Sequence, residues 1–397
     1  MKSPSKPAGG GINTLCTHYG ELEDTRFKGV VSPLYMSTSY AYEDVEIKRY
    51  PRYFNTPNQE ALCRKIAALE HTEAALIFSS GMAATSTALL AFLTQGDHLV
   101  ISRQTYGGTQ NLLQEEFAKF GIEYTFVDGT GRADFEAAIR PNTRVLFLET
   151  PSNPLLQITD LEAMAALARA RGLVTLIDNT FASPVNQNPA DFGIDVIIHS
   201  ATKYMGGHSD ICAGAVAASA EHINRIFHLA KNLGGSLSDY TVWLLERSLK
   251  TMGLRVRAQN ENALGLARYL REHPDIDRVF YPGLEDHPGY AIARVQMRGF
   301  SGMLSFELAP ALDLHTFVHS LRWVRASMSL AGVESTLTAP AQTSHGLLSP
   351  QQREQAGIRD GLIRFSAGIE DFEDLRADVD QALSRAKKAA EKGAVNA

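Results

Sequence analysis

One lysine of the sequence, Lys203, occupies a place where a lysine could do chemistry. It lies in residues 199–210, HSATKYMGGHSD, directly after an apolar run that is typical of a buried parallel strand. Burial disfavours a charged ammonium, and a lysine with a lowered pKa can attack a carbonyl to form a Schiff base. The alternative is a strand-end lysine that extends its ammonium to solvent, and this stretch alone leaves both interpretations open.

An aspartate, Asp178, ends another apolar strand pattern, LVTLI, one predicted strand before Lys203. It either caps the next segment or acts as a buried carboxylate that keeps a pyridinium nitrogen protonated. The stretch SSGM at residues 79–82 joins a strand to a helix, so Gly81 marks either a tight turn or a phosphate site at a helix N-terminus. A lysine, an aspartate and a phosphate cup are the parts that pyridoxal 5'-phosphate requires. Together they predict this cofactor.

Further candidates also follow predicted strands. Tyr106 in TYGG could stack on a cofactor ring or fill core, and the hydroxyls of Ser200 and Thr202 could bind phosphate or strand-end amides. Asn153 in ETPSNP lies in a turn shaped by prolines. Arg364 in LIRFSAG is unusual for an apolar strand, and it could bind a substrate carboxylate or form an ion pair between domains.

The elements that must position these residues alternate between strands and helices over residues 73–219. This alternation predicts a doubly wound, largely parallel sheet, whose ligands bind at the carboxyl ends of the strands. Asp160 is the predicted cap of one helix. The predicted strands are AALIFSS, DHLVIS, IEYTFVD, TRVLFLET, LVTLIDNT, IDVIIHS and ICAGAVAAS, and the helical patterns include GMAATSTALLAFL, TQNLLQEEFAKFG and DLEAMAALARARG.

The C-terminal part of the chain predicts a second, smaller α+β domain. A long helical segment after Ser238, with a bend expected at Gly253, bridges to it. We therefore expect an N-terminal arm over residues 1–60, a large domain over 61–255 and a C-terminal α+β domain over 256–397. The first residues, MKSPSKPAGGG, lack an apolar region and are interpreted as a flexible tail.

Composition excludes several classes of function. The chain has 38 Lys and Arg against 44 Asp and Glu, a net charge of −6, so it offers no basic field for nucleic acid. No run approaches the roughly 18 apolar residues that predict a membrane span. The cysteines are three and widely spaced, which indicates neither a disulfide framework nor a metal site and fits a reducing cytoplasm.

At this point the sequence resembles the Cys/Met-metabolism family of pyridoxal-phosphate enzymes, which includes cystathionine lyases, cystathionine γ-synthase, methionine γ-lyase and homoserine-ester sulfhydrylases. The motifs that carry the resemblance are SATKYMGGHSD, SSGMAA, YGGT, ETPSNP, LIDNT and LIRFSAGIED. It implies the aspartate-aminotransferase-type fold (fold type I) and a homotetramer of two tight dimers. It further implies that Lys203 forms the cofactor imine, that Asp178 pairs with the ring nitrogen and that Tyr106 stacks on the ring. By the same resemblance the phosphate is held by Ser80, Gly81, Met82, Ser200 and Thr202, and the substrate carboxylate by Asn153, Ser329 and Arg364.

Two further positions follow from the resemblance. Tyr50 and Arg52 match a motif that reaches into the neighbouring subunit's phosphate site, although the next residues read Asn-Thr-Pro where the family usually has Asn-Pro-Thr. The residue before Ser329 is Met328, where family enzymes that work on the γ carbon of cystathionine tend to have a glutamate. Methionine γ-lyases also have an apolar residue there, but they usually carry a cysteine two positions after the stacking tyrosine, where this chain has Gly108. The resemblance therefore favours β-elimination of cystathionine or a similar thioether, with γ-elimination or γ-replacement as the alternative.

Other functions remain alternatives on the sequence alone. An NAD-dependent dehydrogenase also uses a doubly wound sheet, but no predicted strand runs into Gly-x-Gly-x-x-Gly. A regulatory protein that binds pyridoxal phosphate without turnover would share Lys203. Within the enzymes, an aminotransferase is the nearest competitor, and it differs in leaving the sulfur side chain on the product.

Overall fold

Seven short apolar segments pair into one sheet in the computed structural model, which describes residues 10–343, 351, 353 and 357–395. The strand order is β1-β7-β6-β5-β4-β2-β3, and every pairing is parallel except the two that β7 makes. The sequence predicted all seven strands and the largely parallel sheet. The strands are β1 (Ala74–Phe78), β2 (His98–Ser102), β3 (Glu123–Val127), β4 (Thr143–Glu149), β5 (Val174–Asp178), β6 (Val196–His199) and β7 (Gly214–Ala218).

The strand directions bring the candidate residues to one edge of this sheet. Strands β2, β4, β5 and β6 run parallel to one another. Strand β7 is antiparallel to both β6 and β1, so β1 runs in the same direction as β6. The carboxyl ends of these strands therefore lie on the same side of the sheet, where doubly wound proteins bind ligands.

The helices of this first unit begin at identifiable caps. The side chains of Ser80, Asp160 and Ser219 each accept a hydrogen bond from a backbone N–H in the first turn of the helix that follows. The Asp160 cap confirms the prediction made there. The helices are α1 (Ile12–His18), α2 (Pro57–Leu69), α3 (Gly81–Phe92), α4 (Gly107–Glu115), α5 (Arg132–Ala138), α6 (Leu161–Arg171), α7 (Ser183–Asn186), α8 (Ala220–Leu233) and α9 (Asp239–Leu249).

A buried core holds the sheet against its helices. Phe78 and Phe147 from the strands and Leu89 from α3 are fully buried in one cluster with Ile226 from α8. Each such side chain stabilises the fold by roughly 1.5–3 kcal/mol relative to an exposed position. This core makes the sheet a rigid base for the residues at its edge.

A second sheet forms the centre of the C-terminal unit, in the order β10-β11-β12-β9-β8. The two shortest strands, β10 and β11, were missed in the sequence because two or three residues carry no measurable alternation. The strands are β8 (Ile276–Phe280), β9 (Met303–Leu308), β10 (Arg325–Ala326), β11 (Thr336–Thr338) and β12 (Leu362–Ser366), and the helices are α10 (Met252–Arg271), α11 (Tyr290–Gln296), α12 (Leu314–Ser320) and α13 (Phe372–Val395).

The two units divide the chain as Met1–Thr150 with Thr159–Leu254, and Pro151–Ile158 with Arg255–Ala397. The first unit thus contains residues 1–60, and the short segment around Asn153 is grouped with the second unit. Of the predicted flexible tail, residues 1–9 lie outside the described residues. Over the described ranges, no helix has the length and apolar character that a membrane crossing needs.

The bend expected at Gly253 is wrong in position. The helix breaks between α9 and α10, at Lys250 and Thr251, and Gly253 lies inside α10. Both the backbone N–H and the hydroxyl of Thr251 donate to the carbonyl of Ser248 at 3.3 Å. A threonine hydroxyl that bonds the preceding turn competes with the helical ladder, so the break comes at the threonine and not at the glycine.

Candidate active site

A cradle at the N-terminus of α3 is shaped for close backbone approach. Ser80 caps the helix by accepting from the N–H of Ala83 at 3.1 Å. A Cβ added at Gly81 would lie 2.8 Å from the Cβ of Ser200 and 3.0 Å from its hydroxyl oxygen. Only glycine fits there, and the N–H groups at this helix end, including that of Met82, have no partner in the helix itself. The cradle can therefore bind a phosphate.

Lys203 lies in a tight turn directly after β6. Its N–H donates to the carbonyl of Ser200 at 3.1 Å, and its carbonyl accepts from the N–H of Gly207 at 2.7 Å. Thr202 is tied to Ala213 by backbone and hydroxyl hydrogen bonds of 3.0–3.2 Å. The turn is therefore fixed at both sides, and it places the partly buried Lys203 beside the cradle residue Ser200.

Asp178 ends β5 on the same sheet edge. Its carboxylate accepts from the N–H of Thr180 at 3.0 Å, and the Thr180 hydroxyl accepts from the N–H of Ser200 at 2.8 Å. Burial raises the pKa of Asp178, while hydrogen bonds from Thr180 and the charges of His199 and Lys203 lower it. The structure thus joins Asp178, Ser200 and Lys203 in one chain of contacts.

Tyr106 is held by Glu149, for which the sequence predicted no role. The carboxylate of Glu149 accepts a 2.7 Å hydrogen bond from the Tyr106 N–H, and Glu149 is paired with Asp178 across β4 and β5. A Cβ on Gly108 would lie 2.5 Å from the Tyr106 ring and 3.2 Å from the sulfur of Met82. Glycine therefore lets ring and sulfur come close. The sequence did contain a signal for this role, because Glu149, the first residue of ETPSNP, is a charged residue at the end of a buried strand.

The second unit joins the residues predicted to bind a carboxylate. Arg364, on β12, is 7% exposed and donates to the Asn153 side-chain oxygen at 3.0 Å and to the backbone oxygen of Ser329 at 3.2 Å. Ser329 has a φ of +81°, a conformation that non-glycine residues seldom adopt and that concentrates at functional sites. Met328, beside it, is 75% exposed. The arrangement can bind a carboxylate through a fixed guanidinium.

Tyr50 and Arg52 are placed apart from these groups. Arg52 lies over the rings of Tyr50 and Tyr53, at 5.6 and 5.1 Å, and donates to the backbone oxygen of Lys231. No contact that the structure gives these described side chains joins them to Lys203 or Asp178.

The order Thr56-Pro57, where the family usually has Pro-Thr, has a structural explanation. Thr56 caps α2 in a reciprocal capping box with Gln59, and Pro57 takes the first helical position, which suits proline. Asn55 holds the loop by accepting from the N–H of Tyr50 at 2.8 Å and donating to the carbonyl of Lys48 at 2.9 Å. The order Thr-Pro therefore builds a well-capped helix start, and Asn55 acts on the loop itself.

The donor set fits pyridoxal 5'-phosphate: a cradle that a Cβ would fill, a lysine beside it and a carboxylate that is joined to the cradle through Thr180 and Ser200. A family profile described as "Cys/Met metabolism PLP-dependent enzyme" matches residues 13–384. The chain belongs to this family, and it is an enzyme that uses pyridoxal 5'-phosphate. Within the described part of the chain, no group of three or more His, Cys, Asp or Glu side chains could hold a metal ion.

The chain is similar to relatives that are named for different reactions, so these names do not identify its own reaction. The chain is 41% identical to cystathionine γ-lyase of Bacillus subtilis, over 93% of this chain and 98% of that one. It is 43% identical to cystathionine β-lyase of the same organism, over 83% and 84%. The crystal structure of cystathionine γ-lyase from Lactobacillus plantarum, complexed with L-serine, superposes with a TM-score of 0.91 at 39% identity, covering 95% and 99%. The fold is therefore that of fold type I enzymes of trans-sulfuration.

Proposed function

We propose that this enzyme is a carbon–sulfur lyase that eliminates the thiol from cystathionine, or from a similar thioether amino acid, at the β carbon. The observation that carries the choice of reaction is Met328. It is apolar and 75% exposed, and it adjoins Ser329, whose carbonyl holds Arg364. A methionine at this position offers adaptable surface and no charge for a distal ammonium. Compared with a glutamate at this position, Met328 should therefore favour substrates attacked at the γ carbon less.

Arg364 binds the substrate carboxylate in this proposal. Its guanidinium is held by Asn153 and by the backbone of Ser329, so it is fixed before the substrate arrives. A charge-assisted, two-pronged hydrogen bond orients the carboxylate more strictly than a point charge does. Orientation of the substrate sets which bond at the α carbon is broken.

Proton transfer falls to Lys203. When bound, the cofactor supplies an electron sink that accepts the charge left on the α carbon. The Nζ atom of Lys203 takes the α proton as general base. Asp178 would hold a proton on the ring nitrogen and Tyr106 would stack on the ring. The N–H groups of Gly81 and Met82 would bind the phosphate together with the other cradle residues, Ser80, Ser200 and Thr202.

Loss of the α proton is followed by cleavage of the bond between the β carbon and sulfur. Cystathionine and water then give homocysteine, pyruvate and ammonia. The alternative, elimination or replacement at the γ carbon, needs a second proton removed from the β carbon, which Lys203 and Tyr106 would share. The alternative covers cystathionine γ-lyase, methionine γ-lyase, cystathionine γ-synthase and O-acylhomoserine sulfhydrylase activities. Similar identities to a γ-lyase and a β-lyase favour neither reaction.

The assembly and the compartment complete the proposal. We expect a homotetramer in which Tyr50 and Arg52 complete the phosphate site of a neighbouring subunit. The contacts that the structure gives Arg52, with Tyr50, Tyr53 and the backbone of Lys231, do not include Lys203 of its own chain, which agrees with this expectation. Three free cysteines, Cys16, Cys63 and Cys212, support a cytoplasmic location.

Product analysis with cystathionine tests the proposed reaction. Homocysteine with pyruvate supports β-elimination. Cysteine with 2-oxobutyrate, or condensation of an activated homoserine with cysteine, contradicts it. The variant Lys203→Ala serves as the control, because products that persist in it come from another enzyme in the preparation.

A further inference from the structure

A fully buried carboxylate, Glu70, lies behind the sheet edge and has no role in the proposed chemistry. It follows the last residue of α2 and is 0% exposed. Its oxygens face the Nε2 of His199 at 2.5 Å, the Nδ2 of Asn179 at 2.9 Å and the Nδ2 of Asn188 at 3.4 Å. Asn179 follows Asp178, and His199 is the last residue of β6 before Ser200. This cluster therefore backs the residues that meet the cofactor.

Two amide groups donate hydrogen bonds to Glu70. The side-chain oxygen of Asn179 accepts from Gln187 at 2.9 Å, so the amide nitrogen of Asn179 must point toward Glu70 as a donor. Asn188 also donates to the carbonyl of Leu69 at 2.7 Å, which identifies its nitrogen in the same way. Both amides therefore donate to Glu70, an arrangement that suits an ionised carboxylate.

A buried carboxylate needs a compensating charge. Among the groups that the structure places against Glu70, only His199 can supply one, and it is 2% exposed. Asp178 pairs across β5 and β6 with Ile198, the residue before His199, and the charge of His199 opposes the burial that raises the pKa of this aspartate. The other groups that face Asp178 are Thr180, Lys203 and, across the strand pair, Glu149.

We propose that Glu70 and His199 are positioning residues for the cofactor: Glu70 holds His199 as a cation, and this cation keeps the Asp178 carboxylate ionised, so that it retains the proton on the ring nitrogen. The inference rests on the role proposed above for Asp178. It assigns to these two side chains an electrostatic role that acts through Asp178. The chemistry they serve is recognition of a protonated pyridine ring.

The test compares two ligands on the full-length chain freed of cofactor. Dissociation constants are measured at pH 8 for pyridoxal phosphate and for its 1-deaza analogue, in which carbon replaces the ring nitrogen. The variants are His199→Gln, which keeps a donor toward Glu70, Glu70→Gln as a second route if the first does not fold, and Asp178→Asn. We expect either Gln variant to lose about tenfold in affinity for pyridoxal phosphate, as for one pKa unit, and less than about twofold for the analogue.

Equal losses for both ligands would mean that the cluster only supports the fold, and this would overturn the inference. The same conclusion follows if both Gln variants bind both ligands as the unmodified chain does. The variant Asp178→Asn distinguishes a failure of the inference about Glu70 and His199 from a failure of the role proposed for Asp178. If it abolishes the preference for pyridoxal phosphate while the Gln variants keep it, only the inference fails. If it too leaves the preference intact, the role of Asp178 fails.

Discussion

The guanidinium of Arg364 donates a 3.0 Å hydrogen bond to the side-chain oxygen of Asn153, a residue 211 positions earlier in the chain. The contact uses one nitrogen of the guanidinium and fixes the plane of this group. A buried arginine held in this way is ready for a carboxylate, and a lysine could not reproduce its geometry.

Arg364→Lys should therefore lower activity on the substrate and leave cofactor binding unchanged. A charge-assisted hydrogen bond contributes about 1.5–3 kcal/mol, so we expect kcat/KM for cystathionine to fall about 10- to 150-fold. The cofactor absorbance should not change. Arg268→Lys, on the exposed side of α10, is the matched control. An unchanged kcat/KM in Arg364→Lys would remove Arg364 from the carboxylate site.

Asp178→Asn should stabilise the cofactor-free chain. Burial raises the pKa of Asp178 in the folded chain above its ordinary value of 3.8, so the folded chain binds this proton more tightly than the unfolded chain. The free energy of unfolding then falls as pH rises from 3.8 through the folded pKa and stays lower above it. We expect urea unfolding at pH 8 to show a gain of about 1 kcal/mol or more in the variant. A variant less stable than the unmodified chain at pH 8 would contradict this.

Acid should destabilise the fold through His98. This residue is fully buried at the start of β2 between the hydroxyls of Thr143 and Thr125, at 2.8 and 2.9 Å. Burial, and next to it the charge of Arg140, lower the pKa of His98 to about 4. The unfolded chain takes up this proton near pH 6.5, so stability is complete above pH 6.5 and is lost as pH falls toward 4.

Replacement by a neutral side chain removes that dependence. His98→Gln should flatten the urea midpoint between pH 6.5 and 4, whatever its stability at pH 8. His18→Gln, at a position that is 73% exposed, is the matched control for the loss of a histidine. Parallel slopes for the unmodified chain and His98→Gln would show that this histidine does not titrate with unfolding.

Arg52 should act across a subunit boundary. Co-expressed Arg52→Ala and Lys203→Ala chains form mixed dimers in which one site has both residues intact, so roughly a quarter of all sites recover at random pairing. We expect activity in the mixture well above that of either variant alone. Activity no higher than the sum of the separate variants would place Arg52 in its own chain's site.

The sequence predicted the parts of the fold that have a local pattern. Buried strands and amphipathic helices are periodic, and Lys203 and Asp178 stood out because a charged residue at the end of an apolar run is unusual. The antiparallel direction of β7 between β1 and β6 could not be predicted in the same way, because a buried strand is equally apolar in either direction.

The residues that the sequence did not reveal act through distant partners. Glu70 lies 129 positions from His199, and Glu149 lies 43 positions from the N–H of Tyr106. No local spacing encodes such contacts. The roles of Asn153, Ser329 and Arg364 came from the family resemblance, and the structure adds that Arg364 is in direct contact with the other two.

Borohydride reduction of the enzyme as purified, followed by peptide mapping, tests the central claim most directly. The chain offers another lysine, Lys65, which is fully buried and whose pKa is lowered by burial. It is committed to the structure, since its ammonium donates to the carbonyl of Cys16 at 3.0 Å and lies 4.0 Å from Glu246. We predict that the reduced cofactor is found as a stable adduct on Lys203 alone, in a tryptic peptide uncleaved at that residue. An adduct on Lys65 or any other lysine, with Lys203 unmodified, would contradict the account.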